Sequence, residues 1–105
     1  MNRSLSELEV RATLPLSRAP QGLREKCVAI ARKKSPSAAF NLAASAAMLS
    51  GLSQIESLCI AKAARWLSVI RRDHGQEAFD RVAASLDHAH GNTATGTTEE
   101  RKNEQ

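Results

Sequence analysis

Apolar positions along this chain recur at the three- and four-residue steps of a helix, and breakers divide them into five groups. Leu5, Leu8 and Ala12 form the first, behind a Ser4/Glu7 pair with the spacing of a capping box, and Pro15 ends it. A linker rich in breakers, LPLSRAPQG, follows. Leu23, Cys27, Ile30 and Ala31 then fall at i, i+4, i+7 and i+8, with Arg24, Lys26 and Lys33 off the stripe, which predicts an amphipathic second helix on the surface.

Ser35 before Pro36 has the form of an N-cap followed by a first-turn proline, and Gly51 supplies a left-handed stop. These signals predict a third helix over about 36–49. Ala39, Ala43 and Ala47 line one of its faces and Phe40, Ala44 and Met48 the next, so it is apolar almost all round. Such a helix is central or is covered by another chain. Ser53 and Glu56 form a second capping box and open a fourth helix over about 54–73, which stops at Gly75. Ile55, Cys59, Ala63, Trp66 and Ile70 share one side of it, and Leu58, Ala61 and Leu67 another. A fifth helix, Gln76 to His88, repeats the pattern through Ala78, Phe79, Val82, Ala83 and Leu86 and should fold back as an antiparallel hairpin.

From Gly91 the segment GNTATGTTEERKNEQ has almost no apolar side chain to offset the entropy of ordering, which predicts a disordered tail. The organisation expected is a short N-terminal helix and linker over 1–18, a helical bundle domain over 19–90 and the tail over 91–105. No internal repeat is visible. The fold class is all-α: a compact bundle of four to five helices with a disordered C-terminal tail.

Composition thins the core. The chain of 105 residues has 18 Ala against 21 Leu, Ile, Val and Phe together. Alanines bring helices close but bury little area each. Three aromatics and no Tyr argue against a strand-rich sandwich.

The net charge of +4 suits a partner with a negative surface, whether nucleic acid, anionic membrane or an acidic protein face, and equally suits a soluble protein with no special partner. Residues 35–55 contain no charge, yet Pro36, Asn41, Gly51, Gln54 and several Ser interrupt them, and a membrane span is not expected. Glu7 and Glu9 stand where an export signal needs unbroken apolar residues, so the chain is expected to start near Met1 and stay in the cytoplasm. Cys27 and Cys59 lack the spacing of a zinc site and read as small buried residues in a reducing compartment.

Catalytic chemistry finds little foothold. His88 and His90, with Asp87, do not share a helix face and have no further ligand nearby, so no metal is expected. There is no glycine-rich phosphate loop after a strand and no evident Ser, His and Asp arrangement. The expectation is a protein that is not an enzyme, with no cofactor and no small-molecule substrate.

Two functional readings remain. In the first, a small intracellular regulatory or adaptor protein binds another protein or itself, because a thin core beside an extensively apolar helix pair is poorly covered by one short chain. Its interface is expected at Ala39, Phe40, Ala43, Ala47, Trp66 and Ile70. Trp66 could equally fill the internal core against Phe40 and Phe79.

The second reading is a DNA-binding transcriptional regulator. A helix-turn-helix register laid on Ala43–Lys62 fits at Ala46, Ala47, Gly51, Leu52 and Ile60, and fails at Ser50 and Ser57, where apolar groups should lock the helices. Ser53 and Gln54 would reach base edges, while Glu56 would face phosphates. Arg32, Lys33 and Lys34 at one helix end, with Lys62, Arg65, Arg71 and Arg72 on another helix, would make a phosphate patch if the two ends converge. The helix macrodipole offers a simpler reason for cations there.

Overall fold

The computed structural model describes residues 4–95, with side chains through Leu86. Five helices make up these residues: α1 (Leu5–Ser17), α2 (Gln21–Lys33), α3 (Pro36–Leu49), α4 (Gln54–His74) and α5 (Gln76–Thr95).

Local chemistry sets most of the boundaries. The Ser4 hydroxyl accepts the Glu7 N–H at 3.3 Å, and Ser35 does the same for Ala38 at 3.3 Å with Pro36 in the first turn. At Ser53 the box is reciprocal: its hydroxyl accepts the Glu56 N–H at 3.1 Å while the Glu56 carboxylate accepts the Ser53 N–H at 3.1 Å. Gly51, at φ 93°, ends α3, with the Leu52 N–H donating to Ala47 O at 3.2 Å and the Gly51 N–H to Met48 O at 3.0 Å. This Schellman pattern needs a left-handed residue and so favours glycine. Gly75, at φ 97°, breaks the chain between α4 and α5.

α4 is the hub, packed against each of the other four helices. The four form an incomplete ring around it: α1 meets α5, α5 meets α2 and α2 meets α3, but α3 and α1 make at most marginal contact. The core follows that arrangement. Leu8, Ala12 and Leu16 from α1, Cys27 and Ala31 from α2, Ala43 and Ala47 from α3 and Phe79 and Leu86 from α5 bury themselves around Ala63, Leu67 and Ile70 of α4. On the side between α1 and α3 no helix covers α4.

Four expectations need correction. The breaker pattern predicts a stop at Pro15, but α1 continues to Ser17, because the proline forfeits one exposed hydrogen bond while wholly buried Leu16 anchors the last turn. The segment over 1–18 is accordingly part of the bundle and shares its core. Arg24, expected on the polar face of α2, is 1% exposed, since side chains on a helix lean toward its N-terminus and this one folds beneath the α1–α2 link. Cys59 is exposed, whereas Cys27 is buried and its thiol is pushed up to about 11 by that burial, slightly opposed by Lys26.

α5 is helical through Thr95, so the tail expected over 91–105 overlaps its last turn. The remainder of that tail, 96–105, lies outside the described residues, as do the side chains of Asp87, His88 and His90.

Candidate functional site

The open strip of α4 carries Ile55, Leu58, Cys59, Lys62, Arg65 and Trp66 at successive three- and four-residue steps. α1 and α3 both run antiparallel to α4 along its two edges. Arg11 of α1 lies over the Trp66 ring at 5.7 Å, and Leu14 and Pro15, further along α1, face Ile55 and Cys59 near the start of α4 across an open groove. On the other edge Arg65 lies over Phe40 of α3 at 5.4 Å and also over Trp66 at 5.3 Å. Arg11, Trp66, Arg65 and Phe40 thus form a row of alternating cations and rings that crosses all three helices.

Large exposed hydrophobics lie on the same three helices. Seven large hydrophobic residues are exposed: Val10, Leu14, Leu42, Met48, Leu49, Ile55 and Leu58. All belong to α1, α3 or α4, and among the described residues α2 and α5 expose none. Leu49 is 89% exposed and Ile55 77%. Confinement of large exposed hydrophobics to neighbouring helices is more informative than apolar residues scattered over a whole surface.

The residues expected at the interface divide. Phe40 and Trp66 are half-buried and remain on the strip. Ala39, Ala43, Ala47 and Ile70 are fully buried and out of a partner's reach. The small-residue strip of α3 is consumed within the chain, letting α3 approach α4 closely in the most extensive helix pair of the fold. Trp66 is half-buried, packs against the core and also lies beneath the Arg11 and Arg65 guanidinium groups.

Met48, Leu49, Ile55 and Leu58 take the exposed role instead. Ile55 shares its stripe with Ile70, and only Ile70 is covered. Helix length is the reason: at 1.5 Å per residue α4 spans roughly 31 Å, while α1 and α3 span about 20 Å each. That mismatch is visible in the spacing of the caps and is the signal that identifies these residues.

The basic ends of α2 and α4 do converge, but their arginines are engaged in the fold. The Arg71 guanidinium donates to Ala31 O at 3.0 Å and Lys34 O at 2.9 Å, closing the C-terminus of α2 from the side, and buried Ser68 donates to Lys34 O at 2.6 Å. Arg32 pairs with Asp80 of α5 at 2.7 Å and covers the Phe79 ring at 4.9 Å. Its hydrogen bond, with one from Gln76, holds the Asp80 carboxyl below its ordinary value. Arg72 pairs with Asp73 at 2.8 Å, which lowers the Asp73 carboxyl and raises the Arg72 guanidinium. Lys33 and Lys34 are exposed together at the C-terminus of α2, and Lys62 is exposed on α4.

The corner does not have helix-turn-helix geometry. At 1.5 Å per residue Phe40 lies about 14 Å from the end of α3 and Arg65 about 17 Å from the start of α4. Helices diverging at about 90–120° would hold them more than roughly 20 Å apart, yet the guanidinium sits 5.4 Å from the ring. α3 and α4 therefore form a side-by-side hairpin. Ser53 is occupied in the cap and Gln54 is exposed at the first turn. Ser50 donates to Ala46 O at 3.0 Å, and Ser57 is buried with its hydroxyl unpartnered, so neither locks the corner as an apolar residue would.

Where α1 ends, the chain turns away from α4 and leaves an open groove of about 590 Å³. Leu14, Ala19, Leu52, Ile55 and Cys59 give it apolar walls, with Arg18 and Glu56 also lining it. No three His, Cys, Asp or Glu among the described residues gather as a metal site, and no helix among them is long and apolar enough to cross a membrane. No family model matches the chain, and no curated protein or solved structure is significantly similar to it.

Proposed function

We propose that this chain is a non-enzymatic regulatory or adaptor protein of the cytoplasm that works by protein–protein binding, and that it self-associates through the open strip of α4 and the flanking edges of α1 and α3. The observation that carries this reading is that every large exposed hydrophobic among the described residues belongs to α1, α3 or α4, the helices that carry and border the open strip. Burying Leu49, Met48, Ile55 and Leu58 against a second copy removes them from water, and the half-buried Trp66 and Phe40 with their arginines supply the aromatic and guanidinium groups that anchor interfaces. Two unpaired thiols, one of them exposed, suit a reducing compartment. DNA binding is less favoured, because Arg71 closes the C-terminus of α2, Arg32 and Arg72 form ion pairs and Arg65 lies over the Phe40 and Trp66 rings.

Sedimentation equilibrium tests this reading. The expected result is a dimer at tens of micromolar, on the order of ordinary transient affinities. The double variant Leu49→Asp with Ile55→Asp should sediment as a monomer with an unchanged far-UV spectrum. A parent that remains monomeric at about 100 micromolar, or a double variant that still dimerises, overturns it.

A further inference from the structure

The gap between α1 and α3 leaves one side of α4 without a helix, and the residues that face it form a stripe. Ile55, Leu58, Cys59, Lys62, Arg65 and Trp66 follow one another at one- to four-residue steps, the first four exposed and the last two half-buried. From Ile55 to Trp66 the stripe covers about three turns, roughly 17 Å at 1.5 Å per residue. α1 and α3 flank it, so a further helix laid between them would pack on α4 at the usual distance of about 8–10 Å and close the ring.

The charge along this strip is one-sided. Lys62 on α4, Arg65 over the Phe40 and Trp66 rings and Arg18 at the end of α1 pair with no carboxylate among the described residues. Arg11, the remaining cation, lies between Glu7 and the Trp66 ring. α3 contributes no charged side chain, and Glu56, at the far end, is held in the capping box by the Ser53 N–H. On the covered side, by contrast, Asp80 answers Arg32 and the carbonyls of α2 answer Arg71.

A second copy answers only part of this surface. Two-fold pairing sets a patch against itself, so it presents the same cations from both copies and brings few carboxylates to them. A phosphate backbone would answer the cations and leave Ile55 and Leu58 uncovered. Arg65 makes no side-chain hydrogen bond among the described residues, which leaves its N–H groups to donate to a carboxylate.

We infer that the strip seats an acidic amphipathic helix of a partner protein, its apolar face on Ile55, Leu58 and Trp66 and its carboxylates beside Arg18, Lys62 and Arg65. The inference names the partner within the protein-binding reading and rests on that reading. Recognition is of the helix-in-groove kind, in which side chains three, four and seven apart on the incoming helix anchor it.

Trp66, the single tryptophan of the chain, lies on the strip and reports its coverage. The full chain is used at or below about 1 micromolar, where a dimer of ordinary affinity is dissociated. The probe is a Trp-free peptide of about 16 residues, Leu at helical steps along one face and Glu on both flanks. It should shift Trp66 emission to the blue and saturate, and the same peptide with Lys for every Glu should need at least about tenfold more. Lys62→Gln, at an exposed position, should weaken the acidic peptide about threefold and leave a peptide with Gln for Glu unchanged. Equal affinity for the Glu and Lys peptides, no saturable response, undiminished binding to Lys62→Gln, or a response to duplex DNA or phosphatidylglycerol vesicles at lower concentration than to the peptide would each overturn the inference. Sedimentation keeps the two proposals apart: a protein that dimerises but ignores the peptide overturns this one alone, and a monomer that binds the peptide overturns self-association alone.

Discussion

On the covered side of α4, Leu67 and Ile70 are wholly buried and Phe79 of α5 is sealed beneath the Arg32 guanidinium. On the open side the same helix leaves Ile55 77% exposed and Leu58 on the surface. The covered side also spends its cations internally, Arg71 on the carbonyls of α2 and Arg32 on Asp80. The open side lays Arg11 and Arg65 over rings that remain half exposed. Residues of one chemical type are therefore buried in the fold on one side and left on the surface on the other, and substitutions should separate the two settings.

The largest effect is expected at Phe79. Phe79→Ala opens a cavity where α5 meets the core, and such truncations cost about 3–5 kcal/mol. Denaturant unfolding measures it; a loss below about 1 kcal/mol would mean that the covered side is no better packed than the open one.

Arg24 should act in the opposite direction. Arg24→Met keeps the volume and removes a buried charge without a carboxylate, and replacements of this kind stabilise by about 1–4 kcal/mol. A destabilised Arg24→Met protein would show that the guanidinium is satisfied in the fold.

A pH dependence follows from Cys27. Burial raises the folded thiol from its ordinary 9.0 to about 11, so the unfolded chain releases its proton first. The contribution of this group to stability is complete below about pH 9 and is lost as the pH rises through about 11. Urea unfolding across this range should show a steeper decline in the parent than in Cys27→Val. Equal slopes would place the thiol in contact with water.

The smallest effect on folding belongs to the open side. Leu49→Ser should change unfolding free energy by less than about 0.5 kcal/mol, as is usual for exposed positions, while under the proposed self-association it should weaken the dimer in the sedimentation experiment. A loss of stability comparable to that of Phe79→Ala would erase the distinction between the two sides.

Much of the fold was legible because its signals act over a few residues. Ser35 with Pro36, Ser53 with Glu56, and the glycines at 51 and 75 set helix ends through hydrogen bonds and backbone angles that span one turn. The stripe of Leu23, Cys27 and Ala31 and that of Phe79, Val82 and Leu86 face the core as their spacing requires. The candidate site was less legible. Ala39, Ala43 and Ala47 have a composition that suits either an internal or an external contact, and the choice fell to α4 lying against them.

What the order of residues determined by itself is where each helix begins and ends and which of its faces is apolar, since caps and periodicity are properties of the local chain. Only the tertiary structure decided which apolar face is covered. Ile55 and Ile70 occupy one stripe of one helix, yet α1 is too short to reach over both, so one joins the core and the other meets solvent. Arg24 was decided in the same way, as its position in α2 is polar by pattern and interior by the path of the α1–α2 link above it. Coverage depends on the length and placement of a second element, and that information is not carried by either element alone.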